Sequence, residues 1–187
     1  MSTPEAMTLQ RGIWCECWTE SPSTGEAPAR LMGFRAATPN EAWTSDNAVT
    51  LGVKFRSDAA GTITGIRFWK NSPLDNGTHI GLLYSASGDV LAQALFSSET
   101  GSGWQQVTFA FPVSINPNTT YVAAYYTTSG WSADGTYFLR QGVDTPPLHA
   151  GSSGDTLNGL YTYGSSPQFP VKSRGANYWV DVLFSGQ

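Results

Sequence analysis

The chain has 187 residues, with 20 Gly, 11 Pro, 13% aromatic and only 13% charged side chains, and a formal net charge of -4. That composition suits a turn-rich all-β protein with one sizeable core and excludes disorder, which needs high charge and few aromatics. No cluster of Lys and Arg could neutralise a row of phosphates and no run of about 18 apolar residues occurs, so neither nucleic-acid binding nor membrane insertion is expected.

Residues 1–30 read as an arm or extra strand, and residues 31–187 as one β-sandwich domain. Within the arm, Gly12 to Glu20 alternates, with Ile13, Cys15 and Cys17 on one face and Trp14, Glu16 and Trp18 on the other. Both faces carry apolar groups, which suits a strand covered on two sides, either inside the sandwich or docked on a neighbouring subunit. Ile13, Trp14 and Trp18 are therefore the assembly candidates. Cys15 and Cys17 are too close in an extended segment to bridge without strain, and they read as small half-buried thiols. The start, M-S-T-P-E-A-M-T-L-Q-R-G, lacks the basic and apolar regions of a secretory signal. With Met1 as its beginning, the chain is expected to be made in a cytoplasm and not exported by that route.

Residues 31–48 read as an irregular lead-in with a turn at Pro39 and Asn40. Val49 to Lys70 follows as two alternating strands joined by a turn at Ser57 to Gly61, a hairpin with Val53, Phe55, Ile66 and Phe68 on one face and Lys54, Arg56, Arg67 and Trp69 on the other. A lone hairpin is marginal, so further strands must cover it. Thr78 to Tyr84, Val90 to Phe96 and Trp104 to Phe111 supply them, the last with Val107, Phe109 and Phe111 on one face. Tyr121, at the head of Val122 to Tyr126, has the spacing of a tyrosine corner, whose hydroxyl bonds back to upstream backbone. Thr127 to Asn177 reads as long loops rich in Gly, Ser, Pro and aromatics, and Tyr178 to Phe184 as a closing strand in mid-sheet or paired with the hairpin. Turns at these intervals predict an antiparallel β-sandwich, jelly-roll or fibronectin-like, with an N-terminal arm.

Catalytic chemistry finds little support. The 14 Asp and Glu are scattered, and Asp58, Asp75, Asp89, Asp134, Asp144 and Asp155 read as turn residues rather than a facing carboxylate pair. Asp181 lies inside a strand and either faces solvent or pairs with Arg67 or another cation. His79 reads as a buried, hydrogen-bonded group and His149 as a loop residue. No nucleophile elbow, phosphate loop or zinc helix motif occurs, so no enzyme and no cofactor are expected. A structural calcium ion on loop oxygens is the one metal the composition allows. Glycan recognition is the positive case, because sugar rings stack on exposed aromatics fixed by a few polar groups. Its candidates are Trp69, Trp131, Tyr137, Tyr161 and Tyr163, while Trp104 and Trp179 read as packing.

The succession L-G-V-K-F-R-S-D-A-A-G-T-I-T-G-I-R-F-W-K, T-H-I-G-L-L-Y, E-T-G-S-G-W-Q-Q-V-T-F, N-T-T-Y-V-A-A-Y-Y, N-G-L-Y-T-Y-G and N-Y-W-V-D-V-L-F resembles the bacterial domain-of-unknown-function 4082 family from about Leu31 to Phe184. The resemblance implies a β-sandwich module of the kind attached to large secreted bacterial proteins, extracellular and accessory or adhesive, and it carries no catalytic residues. A lone sandwich made without a leader is expected to be a bacteriophage virion protein, a head decoration or tail component displayed on the virion surface. Its expected partners are capsid or tail proteins, further copies of itself and cell-surface polysaccharide. The alternative is a carbohydrate-binding accessory module of a secreted bacterial protein.

Overall fold

A computed structural model describes residues 30, 38–44, 47–73, 75–151 and 157–186. The expectations for Ile13, Trp14, Cys15, Cys17 and Trp18, and for Asp155, lie outside those residues. The described chain is an antiparallel β-sandwich. Its elements are β1 (Glu41–Trp43), β2 (Val49–Ser57), β3 (Gly61–Lys70), β4 (His79–Ser85), β5 (Val90–Leu95), β6 (Gly103–Ile115), β7 (Tyr121–Thr127), β8 (Trp131–Ala133), α1 (Tyr137–Arg140), β9 (Val143–Thr145), β10 (Leu148–Ala150), β11 (Leu160–Tyr163), β12 (Lys172–Ser173) and β13 (Val180–Gly186).

One sheet runs β12-β11-β2-β7-β4-β5, with β10 and β9 branching from the far end of β2; the other runs β13-β3-β6. The two strands read as a hairpin therefore belong to opposite sheets. Val53 and Phe55 of β2 do share a buried environment with Ile66 and Phe68 of β3, but they meet across the sandwich. Alternation specifies which face of a strand is buried, and an arch between sheets satisfies that demand as well as a hairpin does. Among the described residues the closing strand β13 pairs with β3 alone and is an edge of its sheet.

The core between the sheets is built from Val49 to Phe55 on β2, Tyr121, Ala123 and Tyr125 on β7, Ile63 to Phe68 on β3 and Val180 to Phe184 on β13. A second apolar layer covers the outer face of the larger sheet, where Leu82, Tyr84, Val122, Ala124, Tyr126 and Leu160 pack with Phe169. Strands β4 and β7 are thus buried on both faces, which explains why their sequences are apolar at successive positions. The Tyr121 hydroxyl accepts a hydrogen bond from the Asn116 N–H at 3.1 Å, the tyrosine corner expected from its spacing.

Five local expectations are corrected. Phe111 is 84% exposed, because the register between β3 and β6 shifts from Gly65–Thr108 to Ile63–Val113 and Ala110, Phe111 and Pro112 of β6 are left exposed in the bulge while Phe109 stays buried. Trp179 adopts φ 53°, so β13 begins at Val180 rather than Tyr178. The Asn177 side chain holds the Trp179 N–H at 2.9 Å, and the Trp179 carbonyl accepts from the Trp69 N–H at 3.0 Å. Residues 38–44 carry β1, and Thr127 to Asn177 contains five short strands and a helical turn among its described residues rather than loops alone. His149 lies on β10 opposite Arg56, not in a loop.

Candidate functional site

Strands β1 and β8 pair so that Trp43 stands opposite Trp131, and their rings stack with centroids 5.4 Å apart and planes 18° apart. Trp131 meets Tyr178 edge-on at 5.7 Å, Tyr178 meets Tyr161 at 6.5 Å, and Tyr161 meets Tyr163 at 5.9 Å. The five rings form one ridge across the molecule. Its ends are open, Trp43 at 48% and Tyr163 at 51% exposure; Trp131 and Tyr161 are half-buried, and Tyr178 is buried beneath them.

Each ring is held by the backbone beneath it. Tyr161 and Tyr163 are two apart on β11 and so share a face. Strand β11 is set against β2, and next to it the Asn158 side chain stands in for a paired strand: its Oδ1 accepts from the Lys54 N–H at 2.9 Å and its Nδ2 donates to the Lys54 carbonyl at 3.0 Å. Gly159, with φ 70°, could not carry a Cβ, which would fall 2.0 Å from the Ala176 carbonyl oxygen. Tyr178 follows Asn177, whose backbone exchanges two hydrogen bonds with Asp134, at 2.9 and 3.1 Å.

Trp131 is positioned by a buried polar network. His79 lies between Asp75, at 3.1 Å from its Nε2, and Glu99, at 2.8 Å from its Nδ1, and Glu99 pairs with Lys70 at 2.9 Å. Asp75 accepts from the Gly130 N–H at 3.0 Å and from the Ser129 hydroxyl, which clamps the turn immediately before β8. Burial pushes the Asp75 carboxyl up, but the hydrogen bonds from His79 and Ser129, the charge of His79 and the Gly130 N–H together hold it below the usual carboxylate range. Asp75 is therefore a buried anchor rather than a solvated turn residue. Ser129 donates to Asp75 and not to His79, and His79 is fully buried, so the group lacks both the hydroxyl–imidazole pair and the access that nucleophilic chemistry needs.

Polar groups flank the ridge. The Trp43 indole N–H donates to Glu41 at 3.1 Å, and the Arg174 guanidinium lies 6.0 Å from the centre of the Tyr161 ring. Burial pushes the Tyr178 hydroxyl well above the usual phenol range, which keeps it a neutral donor. Shallow clefts adjoin both ends. One, of about 500 Å³, is bordered by Asn47, Tyr163 and Ser165; the other, of about 410 Å³, by Glu41, Asp134, Tyr137 and Arg140. A third cleft, of about 420 Å³, lies away from the ridge between Lys54, Arg56, Asp144 and His149 and presents no exposed ring.

Three of the five glycan candidates, Trp131, Tyr161 and Tyr163, thus come together. Trp69 does not join them: it packs edge-on against Trp104 at 5.7 Å and Trp179 at 5.8 Å. Tyr137 rests on Phe138 at 5.2 Å and lines only the cleft beyond Glu41. The ridge also contains Trp43 and Tyr178, which the sequence placed in an irregular lead-in and a closing strand. A three-residue strand shows no period, and the only signal at Trp43 was a large aromatic in a polar stretch. Other acidic residues also do more than make turns. Asp134 accepts from the Asn40 N–H at 2.7 Å and the Trp179 indole N–H at 3.2 Å. Asp58 and Asp144 hold the two ring nitrogens of His149 at 2.5 and 2.6 Å. Asp181 pairs with Arg67, the two side chains both buried. Among the described residues no group of three His, Cys, Asp or Glu side chains has metal-ligating geometry.

A search of curated proteins finds no match. Residues 36–180 match the family model described as Domain of unknown function (DUF4082). The match spans most of the chain, and the protein belongs to that family.

Proposed function

We propose that this protein is a non-catalytic, adhesive β-sandwich that holds a surface polysaccharide along the ridge Trp43, Trp131, Tyr161 and Tyr163. The observation that carries this reading is the unbroken line of rings with exposed ends. Pyranose faces stack on such rings, and successive rings let a chain of sugars, rather than a single one, lie across the surface. Glu41 and Arg174 supply the few oriented polar groups that give such a site direction. A ridge of this kind suits a long, repetitive ligand of modest affinity per unit. The protein is proposed to be a bacteriophage virion component, a head decoration or tail protein, with an accessory module of a secreted bacterial protein as the alternative.

Binding of the full chain to an array of bacterial surface and plant polysaccharides tests the adhesive part. Trp43→Ala and Tyr163→Ala are each expected to lose roughly tenfold in affinity while Trp69→Ala retains it. Equal affinity of the two ridge variants and the wild type for the glycans bound would overturn it. The placement is tested separately, by looking for the protein in purified phage particles.

A further inference from the structure

The edge of the larger sheet carries a feature unconnected with the ridge. Among the described residues β5 pairs only with β4, and β6 runs beside it without pairing, so one row of β5 backbone groups has no strand partner. Natural sheets protect such edges with Lys, Pro or a covering element. Here the strand is Val90-Leu91-Ala92-Gln93-Ala94-Leu95, without a charge or a proline, and Val90 and Leu95 are 54% and 60% exposed.

The strand is also a palindrome, Leu-Ala-Gln-Ala-Leu about Gln93. Two copies running antiparallel about a two-fold axis through Gln93 place Leu91 opposite the other Leu95, Ala92 opposite the other Ala94, and Gln93 opposite itself. The same register sets Asp89 against Ser97, so no like charges face each other at either end. Ala92 and Ala94 already pack on the core, while Leu91, Gln93 and Leu95 alternate with them on the outer side. Both leucines would therefore gain an apolar neighbour, and each exposed glutamine a matching amide. A two-fold interface requires a surface complementary to itself, and a palindromic, uncharged edge meets that requirement.

We propose that β5 is a homodimer edge, joining the eight-stranded sheets of two copies into one continuous sheet of sixteen. A single strand pair buries less than the roughly 1,200 Å² of a standard stable interface, so the dimer is expected in the micromolar range. Its formation leaves both ridges free, which would give a displayed protein two binding faces.

Sedimentation velocity of the full chain over a concentration series reads the assembly. Gln93→Lys, which sets two ammonium groups against each other, and Gln93→Glu, which sets two carboxylates, should each weaken the dimer at least about tenfold. An equal mixture of the two variants should restore it as a heterodimer, because only residues facing their own copies across the axis complement in that way. Trp14→Ser with Trp18→Ser should leave the dimer intact. A chain monomeric throughout the series, a dimer indifferent to both Gln93 variants, or weakening without rescue on mixing would overturn the proposal. So would a dimer abolished by the Trp14 and Trp18 changes alone, which would assign the contact to the arm.

Discussion

Two aromatic assemblies sit on this molecule, and they use the same residue types for opposite ends. In one, Trp69, Trp104 and Trp179 surround a buried ion pair: the Arg67 guanidinium lies 4.0 Å from the centre of the Trp104 ring and holds Asp181 with Nε at 2.9 Å and Nη2 at 2.5 Å. In the other, the rings from Trp43 to Tyr163 run in a line whose ends reach solvent. The first closes on itself, each indole touching the other two and the Trp179 indole N–H donating to Asp134. The second leaves ring faces uncovered at the ends and oriented polar groups beside them. An aromatic-rich stretch is therefore no guide to function by itself. What separates the two is whether the rings have already found their partners within the chain.

The comparison breaks most visibly at the ion pair. Arg67→Ala leaves the Asp181 carboxylate buried without its cation and is expected to cost about 3–5 kcal/mol by chemical denaturation, whereas Arg67→Met with Asp181→Leu recovers most of that loss. Trp69→Ala opens a cavity between two other indoles and should cost about 3 kcal/mol while glycan binding persists. Asp75→Asn should cost about 2 kcal/mol at neutral pH and loosen the turn that carries Trp131. Its penalty is pH-dependent. The Asp75 carboxyl is held below its ordinary value in the folded state, so its stabilisation is complete above the unfolded value near pH 4 and fades as pH falls through the lower folded value. Wild type and Asp75→Asn should accordingly converge in strongly acidic solution, read by thermal melts from pH 7 downward. Tyr121→Phe removes only the hydrogen bond to Asn116 and should cost about 1 kcal/mol.

Much of the fold was legible in the residues, for reasons that also mark where the reading stops. Alternation located β2, β3 and β4 within a residue or two because one or both faces of each are buried. The corner at Tyr121 was legible because its bond to Asn116 is local, five residues upstream. Partnership was not legible: nothing in Val49 to Lys70 says that an arch, rather than a hairpin, joins its strands, since that depends on β7 and β13 arriving to pair with each. Phe111 was misplaced because it lies in a bulge, while Phe109 before it and Val113 and Ile115 after it keep the inward face that alternation assigns. Of the ridge, Trp131, Tyr161 and Tyr163 were visible as aromatics in Gly- and Ser-rich surroundings, but Trp43 and Tyr178 join them only through long-range pairing. Trp69, by contrast, fits the polar face of its strand in sequence and is claimed by Trp104 and Trp179 in space.

The measurement that bears most directly on the division between the two assemblies is a parallel titration of wild type, Trp43→Ala, Tyr163→Ala and Trp69→Ala against the polysaccharides the wild type binds, with a denaturation curve for each. The account predicts that the two ridge variants lose roughly tenfold in affinity with stability within about 1 kcal/mol of wild type, and that Trp69→Ala shows the reverse. Affinity lost through Trp69 and kept through Trp43 and Tyr163 would contradict it and move the binding face to the opposite assembly.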